Sequence, residues 1–205
     1  LDLEMKTPPV ADSSALSVKK EELSKQSPGD VLQIRKNFTE TAFFFPDLRT
    51  DSTGKIRFRF TMPESLTKWK WMLFGHTKDM QMGLTEQSVV TQKELMVQTF
   101  APRFLREGDR FEFTAKITNL TEKEITGQTA LQLFNTSTMQ PVDGWFQNTF
   151  QLQHFTVGAG QSIVVTFRTE VPYNFNDALT YRIIAKGAPQ GGMVQAVGDG
   201  EENTL

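Results

Sequence analysis

Catalysis needs reacting side chains, and this chain is poor in them. Of its 205 residues two are histidine, His76 and His154, and none is cysteine. A nucleophile–base–orienter triad would have to rest on one lone imidazole. The count alone excludes a histidine-rich or thiolate metal centre, a disulfide framework and thiolate catalysis. The sequence holds no Gly-x-Ser-x-Gly elbow, no phosphate-cradling glycine loop ahead of a helix and no His-Glu-x-x-His pair. Paired carboxylates are the remaining acid–base option. Asp79, Glu86, Asp177 and Asp199 are the candidates, but all four fall in expected loops, where solvated turn acids are the plainer reading. The run Asp199-Gly200-Glu201-Glu202 is acidic enough to attract calcium, yet it lacks the alternating oxygen ligands of a calcium loop. No catalytic, cofactor-binding or metal residue is therefore assigned, no cofactor is expected, and the chain reads as non-catalytic.

Composition narrows the class further. Hydrophobic residues make up 38% of the chain, enough for a core, and no apolar run approaches the ~18 residues of a membrane helix. A net charge of −2 with both signs interspersed gives no electrostatic footprint for nucleic acid or anionic lipid. The chain opens on Leu1-Asp2-Leu3-Glu4, acidic where a secretory leader is basic. With no initial methionine, it reads as a piece of something longer. Three sequons, at Asn37, Asn119 and Asn135, would suit a secreted protein.

The elements that would position any site are strands. Residues 1–32, with Pro8-Pro9 and a Ser/Asp-rich surround, read as a linker too polar to offset its ordering entropy. From residue 33 the texture is β. An aromatic strand at 43–45 leads through Asp51-Ser52-Thr53-Gly54 into 55–62, where Ile56, Phe58, Phe60 and Met62 alternate with Lys55, Arg57, Arg59 and Thr61. Further strands are expected at 67–74 and 88–91. In the second half they are expected near 95–100, 110–119, 126–135, 148–157, 161–171, 179–188 and 192–198, at sandwich spacing. Phe111, Phe113, Ala115 and Ile117 share one face, as do Ile163, Val165 and Phe167. These stripes are core rather than a base-stacking platform, because the alternating Lys and Arg lie on the opposite face. Trp145, beside Gly144, is the one aromatic that a binding role would use, with core packing at a strand entry the plainer reading.

One ordered set of residues carries more than any chemical motif. Arg35-Lys36-Asn37-Phe38-Thr39-Glu40-Thr41 precedes Phe43-Phe44-Phe45, then Asp51-Ser52-Thr53-Gly54, then Pro63-Glu64-Ser65-Leu66-Thr67-Lys68-Trp69. This resembles the conserved segment of the alpha-2-macroglobulin family: Arg-x-x-Phe-x-Glu-Thr, an aromatic strand, an Asp-x-x-Gly hairpin and Pro-x-Ser-Leu-Thr-x-Trp. Pro102 to Asp109 with Ile117 to Thr121 is similar to that family's next macroglobulin-like domain, and 198–202 to the exit from it. The resemblance implies an all-β fold of two consecutive Ig-like or fibronectin-III-like (macroglobulin-like) antiparallel sandwiches, the first incomplete. Residues 1–32 would be a flexible linker at the downstream edge of a bait region. Residues 33–92 would be the C-terminal part of one sandwich, and 93–205 a complete one with its exit tail. The resemblance also implies an extracytoplasmic parent (secreted, periplasmic or cell-surface, including lipid-anchored) that traps proteases after bait cleavage. Its partners would be proteases and the neighbouring macroglobulin-like and thioester-type domains. With no cysteine, this chain has no thioester residue of its own.

The other reading is an Ig-like ligand-binding or adhesion module of a cell-surface protein, since fold does not fix function. Its binding loops would be 136–144 and 189–192. In the first sandwich an unpaired edge near 41–46 predicts dimerisation through strand addition. Glu40 is expected to pair with Arg35 or Lys36.

Overall fold

The computed structural model describes residues 32–191 and 196–205; residues 1–31 of the expected linker, the end of the 189–192 loop and 192–195 of the strand expected at 192–198 lie outside them. Among the described residues every regular element is a strand. β1 (Ile34–Arg35), β2 (Lys68–His76), β3 (Met82–Val90), β4 (Leu95–Phe100) and β5 (Arg110–Asn119) are followed by β6 (Ile125–Asn135), β7 (Leu152–Val157), β8 (Ser162–Glu170), β9 (Leu179–Pro189) and β10 (Val197–Thr204). A five-stranded sheet runs β1-β10-β9-β6-β7, a three-stranded sheet β4-β5-β8, and β2-β3 stand as a separate hairpin.

The period-2 stripes build the interior as read. Phe113, Ala115 and Ile117 of β5 stand opposite Phe167, Val165 and Ile163 of β8. They pack against Leu131 and Leu133 of β6, Phe155 and Val157 of β7, and Tyr181, Ile183 and Ala185 of β9, so one core joins the two sheets. At roughly 25 cal/mol per Å² of apolar surface removed from water, this burial is the main stabilising term of the fold.

Three expectations from the sequence are corrected. The stretches 43–45 and 55–62 join no ladder. Their turn does form, with the Gly54 amide donating to Asp51 O at 3.0 Å and Gly54 at φ 76°. The rings then collect on one another instead: Phe43 lies 4.4 Å from Phe60 and 5.2 Å from Phe58, and Phe58 meets the edge of Trp71 at 6.4 Å. Alternation gives a segment two faces, but a strand also needs a neighbouring backbone to accept its hydrogen bonds, and none is supplied among the described residues. The strand expected at 148–157 starts at Leu152, because 142–149 folds into turns in which Trp145 and Phe146 both donate their amides to Val142 O. These turns bury Phe146 completely and leave Trp145 64% exposed, so the core aromatic is the neighbour of the one expected. The last strand runs through the acidic tail rather than ending at it, for reasons that lie in the charges on β10.

Candidate functional site

β10 carries Gly198, Asp199, Gly200, Glu201 and Glu202 in succession. Glycine is weak in strands and like charges repel, so local preference opposes this element. Cations override it. Successive residues face opposite sides, so Asp199 and Glu201 point one way while Gly198, Gly200 and Glu202 point the other.

Asp199 is fully buried and accepts four hydrogen bonds. Arg35 approaches it as a fork, Nε to Oδ1 at 2.9 Å and Nη2 to Oδ2 at 2.7 Å. Lys93 Nζ reaches Oδ1 at 2.9 Å and the Val97 amide reaches Oδ2 at 3.0 Å. Burial alone would raise the Asp199 pKa. The bonds from Arg35, Lys93 and Val97 outweigh it and hold the carboxyl below its ordinary value. Arg35 Nη2 also donates to Val97 O at 2.7 Å, and the Thr99 amide donates to Glu201 Oε2 at 3.1 Å. The Val97 amide and carbonyl and the Thr99 amide of β4 are thus taken by side chains of β1 and β10, which blocks the middle of that edge to another chain.

Glu201 differs from Asp199. Desolvation is the largest influence on it and pushes its pKa up, against the Thr99 hydrogen bonds and the Arg35 charge, with the Asp199 charge adding to the rise. A carboxyl raised on folding favours the folded state when protonated. Its contribution is fully present below the unfolded pKa and is lost as pH climbs through the folded value. Glu201→Gln, which keeps an oxygen for Thr99, is therefore expected to unfold at higher urea than the parent at pH 8, with that advantage shrinking by pH 4. A gap that widens on acidification would reverse the sign.

On the other side of β10, Glu202 is bound by Lys36 at 2.7 Å and by Arg182 Nε at 2.7 Å. The Glu64 carboxylate accepts the Lys36 and Asn37 amides at 2.7 and 2.9 Å, which fixes the chain just past β1 and keeps Glu64 more acidic than usual. Arg35 and Lys36 accordingly go to Asp199 and Glu202, not to Glu40.

The other residues picked out from the sequence stay apart. Glu86 pairs with Lys70 across the β2–β3 hairpin, Asp177 accepts from Asn135 Nδ2, and Asp79 sits in the 77–81 turn, so the four candidate carboxylates share no partner. His76 and His154 are both exposed. Asn119 is buried with its amide donating to Lys123 O, Val157 O and Gly158 O, which makes that sequon a structural corner. Among the described residues no group of three His, Cys, Asp or Glu is arranged to hold a metal ion, and no helix is long and apolar enough to cross a membrane.

Comparison with known proteins gives these features a context. The model of the alpha-2-macroglobulin family matches residues 41–131. The chain is 31% identical over 102 residues to an alpha-2-macroglobulin of Thermotoga maritima, covering 50% of this chain and 6% of that protein. It is 28% identical over 89 residues to an alpha-2-macroglobulin homolog of a Nostoc species, covering 43% and 5%. Among solved structures, trypsin-activated alpha-2-macroglobulin from Escherichia coli superposes with a TM-score of 0.52 at 16% identity, over 76% of this chain and 10% of that one. That last likeness speaks for the fold alone. The chain spans about 6% of the length of the curated relatives it matches. Arg35 and the β10 acids lie outside the family match.

Proposed function

From the match of the alpha-2-macroglobulin family model to residues 41–131, we propose that the chain belongs to that family and is a non-catalytic scaffold segment of a protein that traps proteases. On this reading 1–32 is a flexible linker at the edge of a protease-sensitive bait, 33–92 is the end of one macroglobulin-like sandwich and 93–205 is a whole one. The parent is extracytoplasmic, and its protease partners reach this chain only through it.

The observation that carries the reading is the contrast in burial. Residues 95–185 enclose a core, whereas the β2–β3 hairpin is exposed on both faces, with the cross-strand pair Phe74 and Leu84 at 60% and 62%. Such a hairpin suits a segment that works against neighbouring domains. The segment 41–46, where an unpaired edge was expected, joins no sheet, so the association is assigned to this hairpin instead. The isolated chain is expected to self-associate through it, with light-scattering mass rising with concentration. Phe74→Ser/Leu84→Ser should hold the chain monomeric, and an unchanged association would place the contact elsewhere.

The functional test uses the full-length parent and a panel of unrelated proteases. Cutting upstream of Ile34, compaction in small-angle scattering, and loss of protease activity toward large but not small substrates are expected. Cutting without compaction or retention would reduce 1–32 to an ordinary linker. The exposed Trp145, stacked edge-on against Phe175 at 6.5 Å, favours the second reading, a ligand-binding module, in that one case.

A further inference from the structure

The segment 32–36 is held by β10 in the manner of a bound peptide. It joins the large sheet by only two residues, parallel to β10, with Ile34 opposite Gly200 and Arg35 opposite Glu201. Two adjacent residues would make a poor strand on their own. The grip comes from side chains, and it reads the sequence of the segment.

On one face of β10 the two glycines form slots. A Cβ on Gly198 would lie 2.6 Å from Leu32 Cδ1, and one on Gly200 would lie 3.2 Å from Ile34 Cγ1. The missing side chains are the space that Leu32 and Ile34 occupy. Beyond the slots, Glu202 takes Lys36. On the opposite face Arg35 passes into the sandwich edge, where Asp199 and Val97 O receive it. A fork–carboxylate pair at a fully buried aspartate selects arginine over lysine by geometry. Alternate side chains set specificity while the backbone supplies general affinity, which is the logic of strand-addition peptide recognition.

We propose that the outer edge of β10 is a peptide-binding site that accepts an extended segment of the pattern apolar-x-apolar-Arg-basic, and that residues 32–36 are its tethered ligand. The site goes beyond the scaffold role and does not rest on it. Tethering gives the segment an effective concentration of the order of millimolar. A free peptide of the same sequence therefore displaces it only after the resident copy has been weakened.

The test is made on the full chain with a fluorescent peptide of residues 32–38. Ile34→Ser/Arg35→Ala disables the resident segment and leaves β10 intact. Ile34→Ser/Arg35→Lys is a milder companion should the first fold poorly. The peptide is expected to bind either weakened chain and raise its melting temperature, with at least tenfold lower affinity for the unaltered chain. A peptide with alanine in place of arginine, or a weakened chain that also carries Gly200→Val, should lose binding at least tenfold. A weakened but folded chain that ignores the peptide, or binding indifferent to both the arginine and Gly200, would overturn the proposal.

Discussion

Asp199→Ala is expected to destabilise the fold by about 3–5 kcal/mol, the usual scale for removing one partner of a buried ion pair. The carboxylate is fully buried and gathers two cations and a backbone amide. Its loss takes the bidentate partner from Arg35, a residue only 5% exposed, and leaves it Val97 O at 2.7 Å, Glu64 O at 3.4 Å and the Glu201 carboxylate at 3.9 Å. It also orphans the Val97 amide. Arg35→Ala should cost less, because Lys93 still neutralises Asp199. The double variant should fall well short of the sum of the two singles, since the second substitution removes a group that has already lost its main partner. Urea midpoints for the four proteins measure this coupling, and strict additivity would mean that the pair is not the unit described. Acid gives an independent check. The Asp199 pKa is lowered on folding, so its contribution is present above the unfolded value and disappears as pH falls through the folded one. Asp199→Asn should therefore flatten the acid limb of the stability profile.

Why that clamp was illegible in the sequence while the core was plain is a matter of range. The stripes Phe113-Ala115-Ile117 and Ile163-Val165-Phe167 are local periodicities, and each could be read from a single strand. Arg35 and Asp199 stand 164 residues apart, and no local pattern joins them. Asp199-Gly200-Glu201-Glu202 reads as a loop from sequence because strand preference counts glycine and acid against a strand and does not see the cations that cancel the charge. The signal was present in one form. Glycine alternating with acid at period 2 is what a strand with one slotted face and one charged face looks like. The stretch 55–62 failed in the opposite sense: its alternation is faultless, but its rings pack on Phe43 and Trp71 without a ladder. Trp145 and Phe146 were separable only by the local turn, whose hydrogen bonds to Val142 O decide which ring enters the core.

The second large effect is expected at Asn119, which heads one of the three sequons and is fully buried. Its side chain closes a corner between the end of β5 and two turns. Nδ2 donates to Lys123 O at 2.7 Å, Gly158 O at 3.1 Å and Val157 O at 3.2 Å, while Oδ1 accepts the Thr121 amide at 2.9 Å and its hydroxyl at 2.7 Å. The end of β5 is thereby tied to the β5–β6 turn and to the turn between β7 and β8. Asn119→Ala leaves several of these groups without partners in a buried place. At ~1–3 kcal/mol for each group left unsatisfied, the loss should reach roughly 3 kcal/mol or more. Asn119→Asp should be at least as damaging, because it retains the acceptor yet sets a carboxylate against three carbonyl oxygens. Thr121→Ala, which keeps the Asn119 side chain and removes one hydroxyl, should cost only about 1 kcal/mol. Thermal unfolding of the three variants ranks them. If Asp proved milder than Ala, the bonds that Nδ2 donates to Lys123 O, Val157 O and Gly158 O would not be what holds the corner.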